Sequence, residues 1–252
     1  MIQLNFSNVS KSYRSTGGAE VRAAEDISLE VEQGRIACLV GPTGCGKTTI
    51  LRLAAGLDGP DSGSISFGAA GNGETRPKTG YLTQRHTLLP WMTARDNIGM
   101  PFRVSGAHGS KTGERVDSIL ESLGLGDFAH LYPHELSGGM QQRAAIGRLL
   151  AMDARCWLMD EPFSALDERT RHHLQNLLIE LNRTKKITVM FVTHSIDEAV
   201  YLADRVYVLS TGPGRIVENF DLDEEKPRDR LSPAFGRRME DVRMKLEQVI
   251  GA

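Results

Sequence analysis

A glycine-rich loop between an apolar strand and a helix is the feature that most restricts the fold of this chain. The run RIACLV (35–40) has strand length and no polar alternation, which is typical of a strand covered on both faces. GPTGCGKT (41–48) follows it, and KTTILRLAAGL (47–57) then predicts a helix that ends at a glycine. The spacing GxxxxGK[ST] binds phosphate in this strand–loop–helix context. The context therefore predicts a phosphate loop and disfavours an accidental glycine-rich turn.

The residue types explain how such a loop binds phosphate. Glycines allow successive backbone N–H groups to point inward, and the following helix adds the positive end of its dipole. Lys47 can reach terminal phosphates as a point charge, and the hydroxyl of Thr48 can ligate Mg²⁺. The loop alone indicates a large class that includes kinases, GTPases, helicases, motors and transport ATPases.

A second, acidic site narrows this class. The run CWLMDEP (156–162) predicts an apolar strand that ends in two adjacent carboxylates. Asp160 stands where the equivalent carboxylate of phosphate-loop enzymes holds the Mg²⁺ shell, and Glu161 is a candidate to polarise the attacking water. The alternative is a solvated acidic turn, which is weakened because a fully apolar strand carries the pair.

The remaining patterns predict an α/β fold with a mostly parallel core sheet. Apolar runs of strand length recur at 154–160, 187–194 and 205–210, and helical patterns lie between them. Segments near the N-terminus alternate apolar and polar residues, which predicts an antiparallel β subdomain. The span 85–153 has helical signals and no convincing strand, so we expect an inserted α-helical subdomain. We expect one domain of 1–252, with the RecA-like core and β subdomain in 1–84 and 154–220, the helical subdomain in 85–153 and a tail helix in 221–252.

Composition limits the classes of partner. Apolar residues make up 40% of the 252 residues and charged residues 25%, and the net charge of −2 gives no bulk reason to bind nucleic acid. No apolar run reaches the roughly 18–20 residues that cross a bilayer, and no basic-then-apolar leader is present, so we expect a cytoplasmic location. The three cysteines have no CxxC spacing, which disfavours a disulfide framework or a zinc site. Cys38 and Cys156 are expected to be small buried hydrophobes.

The stretch LSGGMQQR (136–143) places two glycines at the mouth of a predicted helix, 140–152. An N-cap explains Ser137 but not two consecutive glycines, which weaken a first turn by about 1 kcal/mol each relative to alanine. Their position indicates that a negatively charged group approaches the backbone there.

Taken in order, GPTGCGKTT (41–49), LSGGM (136–140) and LMDEPFSALD (158–167) resemble the nucleotide-binding subunit of ATP-binding-cassette (ABC) transporters. The resemblance covers essentially the whole chain. It implies the fold of a P-loop NTPase (ABC ATPase) and a head-to-tail dimer that sandwiches two ATP molecules. The residues that it implies for ATP are Tyr13 on the adenine, then Gly41, Pro42, Thr43, Gly44, Cys45, Gly46, Lys47, Thr48 and Thr49 on the phosphates, and Ser137, Gly138 and Gly139 on the γ-phosphate of the partner's ATP.

The resemblance also implies roles in hydrolysis of ATP with Mg²⁺. Gln84 would be the lid glutamine that completes the Mg²⁺ and water shell beside Thr48 and Asp160. His194 would be the switch histidine at the γ-phosphate, acting with Lys47 and Glu161. The dimer loop would consist of Ser164, Ala165, Leu166 and Asp167.

Two positions depart from the commonest family pattern. Met140 replaces a glutamine but has precedent in importer subunits, so we expect no loss of function. Cys45 lies at a helix N-terminus, where thiols tend to have a lowered pKa. We therefore expect alkylation of Cys45 to slow hydrolysis and MgATP to protect against it.

The resemblance implies transport partners as well. These are a second ATP-binding subunit, expected to be a copy of this chain, an integral-membrane permease and, indirectly, a periplasmic solute-binding protein, with the chain peripheral on the cytoplasmic face of the inner membrane. Within RHTLLPWMTARDNI (85–98), Trp91 fits a permease contact and an internal cap of the helical subdomain equally well. This loop and KPRDRLSPAF (226–235) resemble importers of nitrate, aliphatic sulfonates and taurine, and importers of bicarbonate and pyrimidine precursors share them.

Other functions remain open at this point. A soluble cassette ATPase of DNA repair or translation usually carries a second cassette, a long coiled coil, zinc cysteines or a basic arm, none of which is evident in this sequence. A regulatory module that binds ATP without hydrolysis is disfavoured by the set of Glu161, Gln84 and His194. An exporter subunit is still possible.

Overall fold

Strands and helices alternate through most of the chain, as the apolar runs predict. The structure is a computed structural model, and it describes residues 2–14, 18–68, 77–84, 88–107, 109–164 and 166–250. The strands are β1 (Ile2–Arg14), β2 (Glu20–Glu32), β3 (Ile36–Val40), β4 (Ser62–Phe67), β5 (Thr79–Leu82), β6 (Cys156–Asp160), β7 (Thr188–Thr193), β8 (Arg205–Leu209) and β9 (Ile216–Asp221). The helices are α1 (Lys47–Ala55), α2 (Ala94–Val104), α3 (Ser110–Ser122), α4 (Gly138–Ala151), α5 (Glu168–Lys185), α6 (Ile196–Leu202) and α7 (Pro233–Ile250).

A six-stranded sheet forms the core, in the order β5-β6-β7-β3-β8-β9. The first five strands are parallel, and β3, β6 and β7 are buried along their whole length. The four predicted apolar strands are therefore confirmed. Parallel strands bring their carboxyl ends to one edge of the sheet, and the loops after β3, β5, β6 and β7 meet there.

Strand β9 was not predicted. It pairs antiparallel with β8 at the edge of the sheet, and its residues alternate between half-buried and exposed. Glu218 and Asn219 interrupt its apolar residues, so the segment lacks the continuous apolar run that identifies the central strands.

The N-terminal strands form the predicted antiparallel sheet, in the order β2-β1-β4. Its buried face carries Leu4, Phe6 and Ile27, which join Ile50 and Leu51 of α1 in one apolar cluster with the core sheet. This packing fixes α1, and with it the loop that precedes it, between the two sheets.

Residues 88–107 and 109–153 contain helices and two short 3₁₀ turns but no strand. Helix α4 packs against α2 and α3, and Ile98, Leu120 and Ile146 are buried between them. The chain thus has the predicted architecture of a P-loop NTPase: a mostly parallel core sheet, an antiparallel β subdomain and a helical insertion.

The C-terminal segment is fastened to α6. Arg228 is buried and donates hydrogen bonds to the carbonyls of Val200, Tyr201, Ala203 and Leu222, at 2.8–3.3 Å. Two of these carbonyls lie in the last turn of α6 and a third belongs to Ala203, the residue after it; a helix leaves its last C=O groups without intrahelical partners. Across the described ranges, no helix combines the length and the apolar character that a bilayer crossing demands.

Candidate nucleotide site

The phosphate loop lies between the end of β3 and the start of α1. Gly46 adopts a left-handed conformation, with φ 93°, immediately before the helix. A Cβ atom at this position would lie 2.2 Å from the carbonyl oxygen of Ala23, so both the conformation and the close approach require glycine. Gly44, with φ 81°, also needs the freedom of glycine but has open space around it. The backbone is therefore held tightly on one side of the loop and open on the other.

Lys47 is buried inside this loop. Its Nζ donates hydrogen bonds to the carbonyl oxygens of Gly41 and Pro42, both at 2.7 Å. The predicted phosphate-binding ammonium is thus oriented by the loop itself, without help from a carboxylate.

The residues predicted to hold Mg²⁺ meet at the edge of the sheet. The hydroxyl of Thr48 donates to Oδ2 of Asp160 at 2.9 Å, although the two residues are 112 positions apart. Burial raises the pKa of Asp160, and the hydrogen bond from Thr48 partly opposes that change. Within the described residues there is no group of three or more His, Cys, Asp or Glu side chains that could form a metal cage. A hydroxyl beside one carboxylate fits Mg²⁺, which usually takes one or two protein oxygens together with substrate phosphates and water.

Glu161 brings two other predicted residues together. Its carboxylate accepts a hydrogen bond from Nε2 of Gln84 at 3.0 Å, and Nδ1 of His194 lies 3.4 Å from the same oxygen, Oε2. Gln84 follows β5, Glu161 follows β6 and His194 follows β7, so three neighbouring strands deliver one cluster. The side chain of His194 is 62% exposed, which leaves this cluster open on one side.

The backbone of Glu161 is strained. Its φ is +45°, in the left-handed region that residues other than glycine rarely adopt, and its N–H donates to the carbonyl of Val192 at 3.0 Å. Conformations of this kind cost about 1–3 kcal/mol and are concentrated at functional sites. The sequence carries no sign of this strain, because an ordinary glutamate occupies the position.

Tyr13, predicted to stack on adenine, lies at the end of β1 beside α1. Its hydroxyl donates to Asp58 at 2.9 Å, and its ring is 38% exposed. Partial burial and the bond to Asp58 raise the pKa of Tyr13, and a hydrogen bond from Thr49 partly opposes this change. Nε of Arg52 donates to the same oxygen of Asp58, Oδ2, at 2.7 Å, and Nη2 of Arg52 donates to Oδ1 at 3.3 Å. Sequence analysis missed Asp58 and Arg52, since neither belongs to a motif.

Comparison with known proteins agrees with this geometry. A family model described as ABC transporter matches residues 24–164, more than half of the chain. The aliphatic sulfonates import ATP-binding protein SsuB of Bacillus licheniformis is 42% identical over 219 residues, which cover 87% of this chain and 85% of that protein. The chain belongs to the ABC transporter family.

Further relatives of this ABC ATPase agree in sequence and in fold. An uncharacterized ABC transporter ATP-binding protein of Methanocaldococcus jannaschii is 44% identical over 93% of this chain and 87% of its own length. The dimeric structure of a bacterial ABC transporter cassette is 30% identical, with a TM-score of 0.76 over 88% of this chain and all of that one. The same cassette bound to ADP and Pi after hydrolysis gives a TM-score of 0.75, at the same identity and coverage. The chain is therefore an ATPase of the transporter class.

The lowered pKa predicted for the Cys45 thiol is wrong. Its side chain is 1% exposed, and burial raises the pKa of the thiol, although the nearby Lys47 ammonium partly opposes this change. The sulfur lies beneath the loop, 2.8 Å from where a Cβ of Gly41 would stand. The position at a helix N-terminus is correct, but the side chain points into the core, so a reactive thiolate is not expected. Cys38 and Cys156 are buried, as predicted.

The signature residues lie at the N-terminus of α4, in the helical part of the ABC ATPase. The hydroxyl of Ser137 caps the helix by accepting from the N–H of Met140 at 3.3 Å, and Gly138 is exposed. Gly139 is buried, and a Cβ there would lie 2.3 Å from Cγ2 of Thr170 on α5. Packing thus supplies a reason for Gly139 that sequence analysis did not consider. No hydrogen bond joins Ser137 or Gly138 to the phosphate loop among the described parts of this chain.

The dimer loop begins three residues after Glu161. The hydroxyl of Ser164 donates to the carbonyl of Glu161 at 3.1 Å, and Asp167 caps α5 by accepting from the N–H of Thr170 at 3.0 Å. Leu166 is buried between them, and Ala165 lies outside the described residues.

The structure separates the two alternatives for Trp91. Its side chain is 69% exposed, so it does not cap the core of the helical subdomain. Leu88 is buried instead. Asn97, which is fully buried, holds the loop from within: its amide donates to the carbonyls of Leu89, Met92 and Thr93 and accepts from the N–H of Leu89, at 2.8–3.1 Å. Trp91 therefore projects from a loop with a fixed backbone.

Proposed function

We propose that this chain is the ATP-hydrolysing subunit that energises an ABC importer for a small anion of the nitrate, aliphatic sulfonate or taurine class. The observation that carries the hydrolytic part is the Glu161 carboxylate, held between Gln84 and His194 next to the pair of Thr48 and Asp160. The import part is supported by relatives named for aliphatic sulfonate import, at 38–43% identity.

In the proposed reaction, water attacks the γ-phosphoryl group of ATP. Glu161 orients the water and accepts its proton, which fits a carboxylate that is fixed by two neighbours yet open on one side. Lys47 and the inward N–H groups of residues 41–48 stabilise the developing negative charge. His194 contacts the γ-phosphate, and Tyr13 stacks on the adenine.

Thr48, Asp160 and Gln84 are the residues that would hold Mg²⁺. When bound, the ion neutralises phosphate charge. The protein residues need only orient the hydroxyl and the carboxylate, and the bond of 2.9 Å between Thr48 and Asp160 already does so.

Two copies of the chain are proposed to form the working unit. Ser137, Gly138 and Gly139 would bind the γ-phosphate of the partner's ATP, and the dimeric assemblies of the solved relatives support this arrangement. The exposed serine hydroxyl and glycine N–H at a helix N-terminus suit an anion that arrives from outside the chain.

A membrane permease is proposed to dock on the Trp91 loop, which places the chain at the cytoplasmic face of the inner membrane and, through the permease, next to a periplasmic solute-binding protein. An exposed tryptophan on a fixed loop is a typical anchor of a protein interface.

The test is the recovery of a polytopic permease with the tagged chain from detergent-solubilised membranes. Trp91→Glu should abolish recovery, and Leu231→Glu, at a site that is 93% exposed, is the matched control. Recovery of ribosomes or nucleic acid instead would favour a non-transport ATPase.

The hydrolytic proposal is tested with Glu161→Gln, which keeps the shape of the side chain. ATP should still bind, turnover should fall by at least a hundredfold, and size-exclusion chromatography with ATP should show a dimer. The control is Glu180→Gln, an exposed glutamate on α5. Near-normal hydrolysis by Glu161→Gln would remove Glu161 from the mechanism.

A further inference from the structure

An ion pair between a buried glutamate, Glu198, and a partly exposed arginine, Arg171, lies between the loop that carries His194 and the dimer loop. Glu198, in the first turn of α6, is 4% exposed. One of its carboxylate oxygens accepts a hydrogen bond from the hydroxyl of Thr193 at 2.6 Å, and the other lies 3.8 Å from Nε of Arg171 on α5. None of these three residues belongs to the motifs that sequence analysis identified.

On one side, Glu198 fixes the backbone around His194. Thr193 and Ser195 are the two neighbours of His194 in the chain. The N–H of Ser195 donates to the hydroxyl of Thr193 at 3.1 Å, and the hydroxyl of Ser195 accepts from the N–H of Glu198 at 3.4 Å. The backbone is thus held before and after His194, while the imidazole itself stays exposed beside Glu161.

On the other side, Arg171 reaches the dimer loop. Its Nη2 donates to the carbonyl oxygen of Leu166 at 2.9 Å, and its backbone N–H donates to the carbonyl of Asp167. Its Nε is buried and forms no hydrogen bond to a described residue, so the Glu198 carboxylate is the group that balances its charge.

A purely structural need would not select this arrangement. A buried carboxylate costs several kcal/mol in desolvation, and burial indeed raises the pKa of Glu198. A glutamine would also accept from Thr193 and would avoid that cost. The charge becomes useful if it couples Arg171, and through it the dimer loop, to the His194 loop.

We propose that Glu198 and Arg171 are positioning residues that link the His194 loop to the dimer loop within one subunit. The link makes the placement of His194 depend on the placement of Leu166, so that contact with the partner at the dimer loop sets the geometry beside Glu161. This inference rests on the proposed function, since it concerns the rate of ATP hydrolysis.

The test is a double-mutant cycle with Glu198→Gln and Arg171→Gln, using the full chain with MgATP. Turnover is expressed per bound nucleotide, so that unfolded protein does not count. Each single variant should lower kcat about tenfold and keep the KM for ATP within twofold of the wild type. The kcat of the double variant should be no lower than that of the less active single variant. Glu180→Gln and Arg183→Gln, both exposed on α5, should change kcat less than twofold.

The possible outcomes separate the inference from the function. If the wild type does not hydrolyse ATP, the proposed function fails and this inference fails with it. If the wild type hydrolyses ATP but both single variants stay within twofold of it, or the double variant shows the product of the two effects, only the link is wrong. If Glu198→Gln does not fold, Arg171→Gln and Arg171→Lys decide, because the Arg171 side chain is 34% exposed and its loss leaves little cavity. Arg171→Lys, which keeps the charge, should recover part of the rate.

Discussion

The phosphate loop is proposed to bind the ATP of its own subunit and the signature segment the ATP of the partner, and the two segments differ in how their polar groups are bonded. At the phosphate loop, Lys47 and Asp160 are buried and hydrogen-bonded within the chain. At the signature segment, Ser137 and Gly138 are exposed at the end of a helix. The polar groups of the phosphate loop are bonded to residues of that loop and of β6, whereas Ser137 caps only its own helix and stays exposed with Gly138. The difference supports the proposal that one subunit can bind nucleotide and that two are needed to hydrolyse it.

The largest expected effect comes from a substitution in the phosphate loop. Lys47→Met removes an ammonium that forms charge-assisted hydrogen bonds, each worth about 1.5–3 kcal/mol, so ATP affinity should fall about a hundredfold. Isothermal titration calorimetry on dilute, monomeric protein measures this. Lys111→Met, at an exposed lysine of α3, is the control.

Ser137→Ala completes that experiment. It should leave the ATP affinity of the monomer unchanged while lowering turnover at concentrations that permit a dimer. An equal loss of monomer affinity in Ser137→Ala and Lys47→Met would mean that both regions bind phosphate within one chain.

A smaller effect separates the two glycines of the signature segment. Gly139→Ala should destabilise the protein by about 1–3 kcal/mol, because the new methyl group meets Thr170. Gly138→Ala receives the same gain in helix propensity without that clash, so it should retain stability and lose turnover. Thermal unfolding followed by circular dichroism compares them, and Thr170→Ser, which removes the obstructing methyl, should restore Gly139→Ala. Equal midpoints for the two alanine variants would contradict the packing role of Gly139.

The smallest effect concerns pH and the buried carboxylate of Asp160. Because the folded-state pKa of Asp160 is raised, its contribution favours folding at acidic pH and is lost as the pH rises through that pKa. Asp160→Asn should therefore be more stable than the wild type at pH 7 without nucleotide or Mg²⁺. The gain should vanish below the ordinary aspartate pKa of about 3.9. Urea unfolding at several pH values measures it, with the exposed Asp223→Asn as control. A gain that is independent of pH would point to a cause other than ionisation.

Sequence analysis predicted the parts of the fold that local patterns determine. The apolar central strands and the phosphate loop were accessible because burial on both faces and the glycine spacing leave direct marks on the sequence. The edge strand β9 left no such mark. The left-handed backbone of Glu161 and the contact of Gly139 with Thr170 depend on residues far away in the chain.

Cys45 and Trp91 show how a local rule depends on the direction of a side chain. The helix-terminus rule would apply to Cys45 if its thiol faced solvent, but the thiol faces the core. For Trp91 the apolar character was compatible with both directions, and only the three-dimensional placement, fixed by Asn97, separates them.

The hold of Arg228 on α6 has a practical consequence for anyone who shortens or fuses this protein. A truncation that ends before position 228 would remove the donor for the carbonyl groups at the end of α6. This helix has only seven residues and begins two residues after His194. Chimeras that exchange C-terminal extensions should therefore be joined downstream of Arg230, whose guanidinium also pairs with Asp197 at the opposite end of the same helix. A reporter or affinity tag should likewise lie downstream of Arg230, so that the hydrogen bonds of Arg228 and Arg230 to α6 are kept.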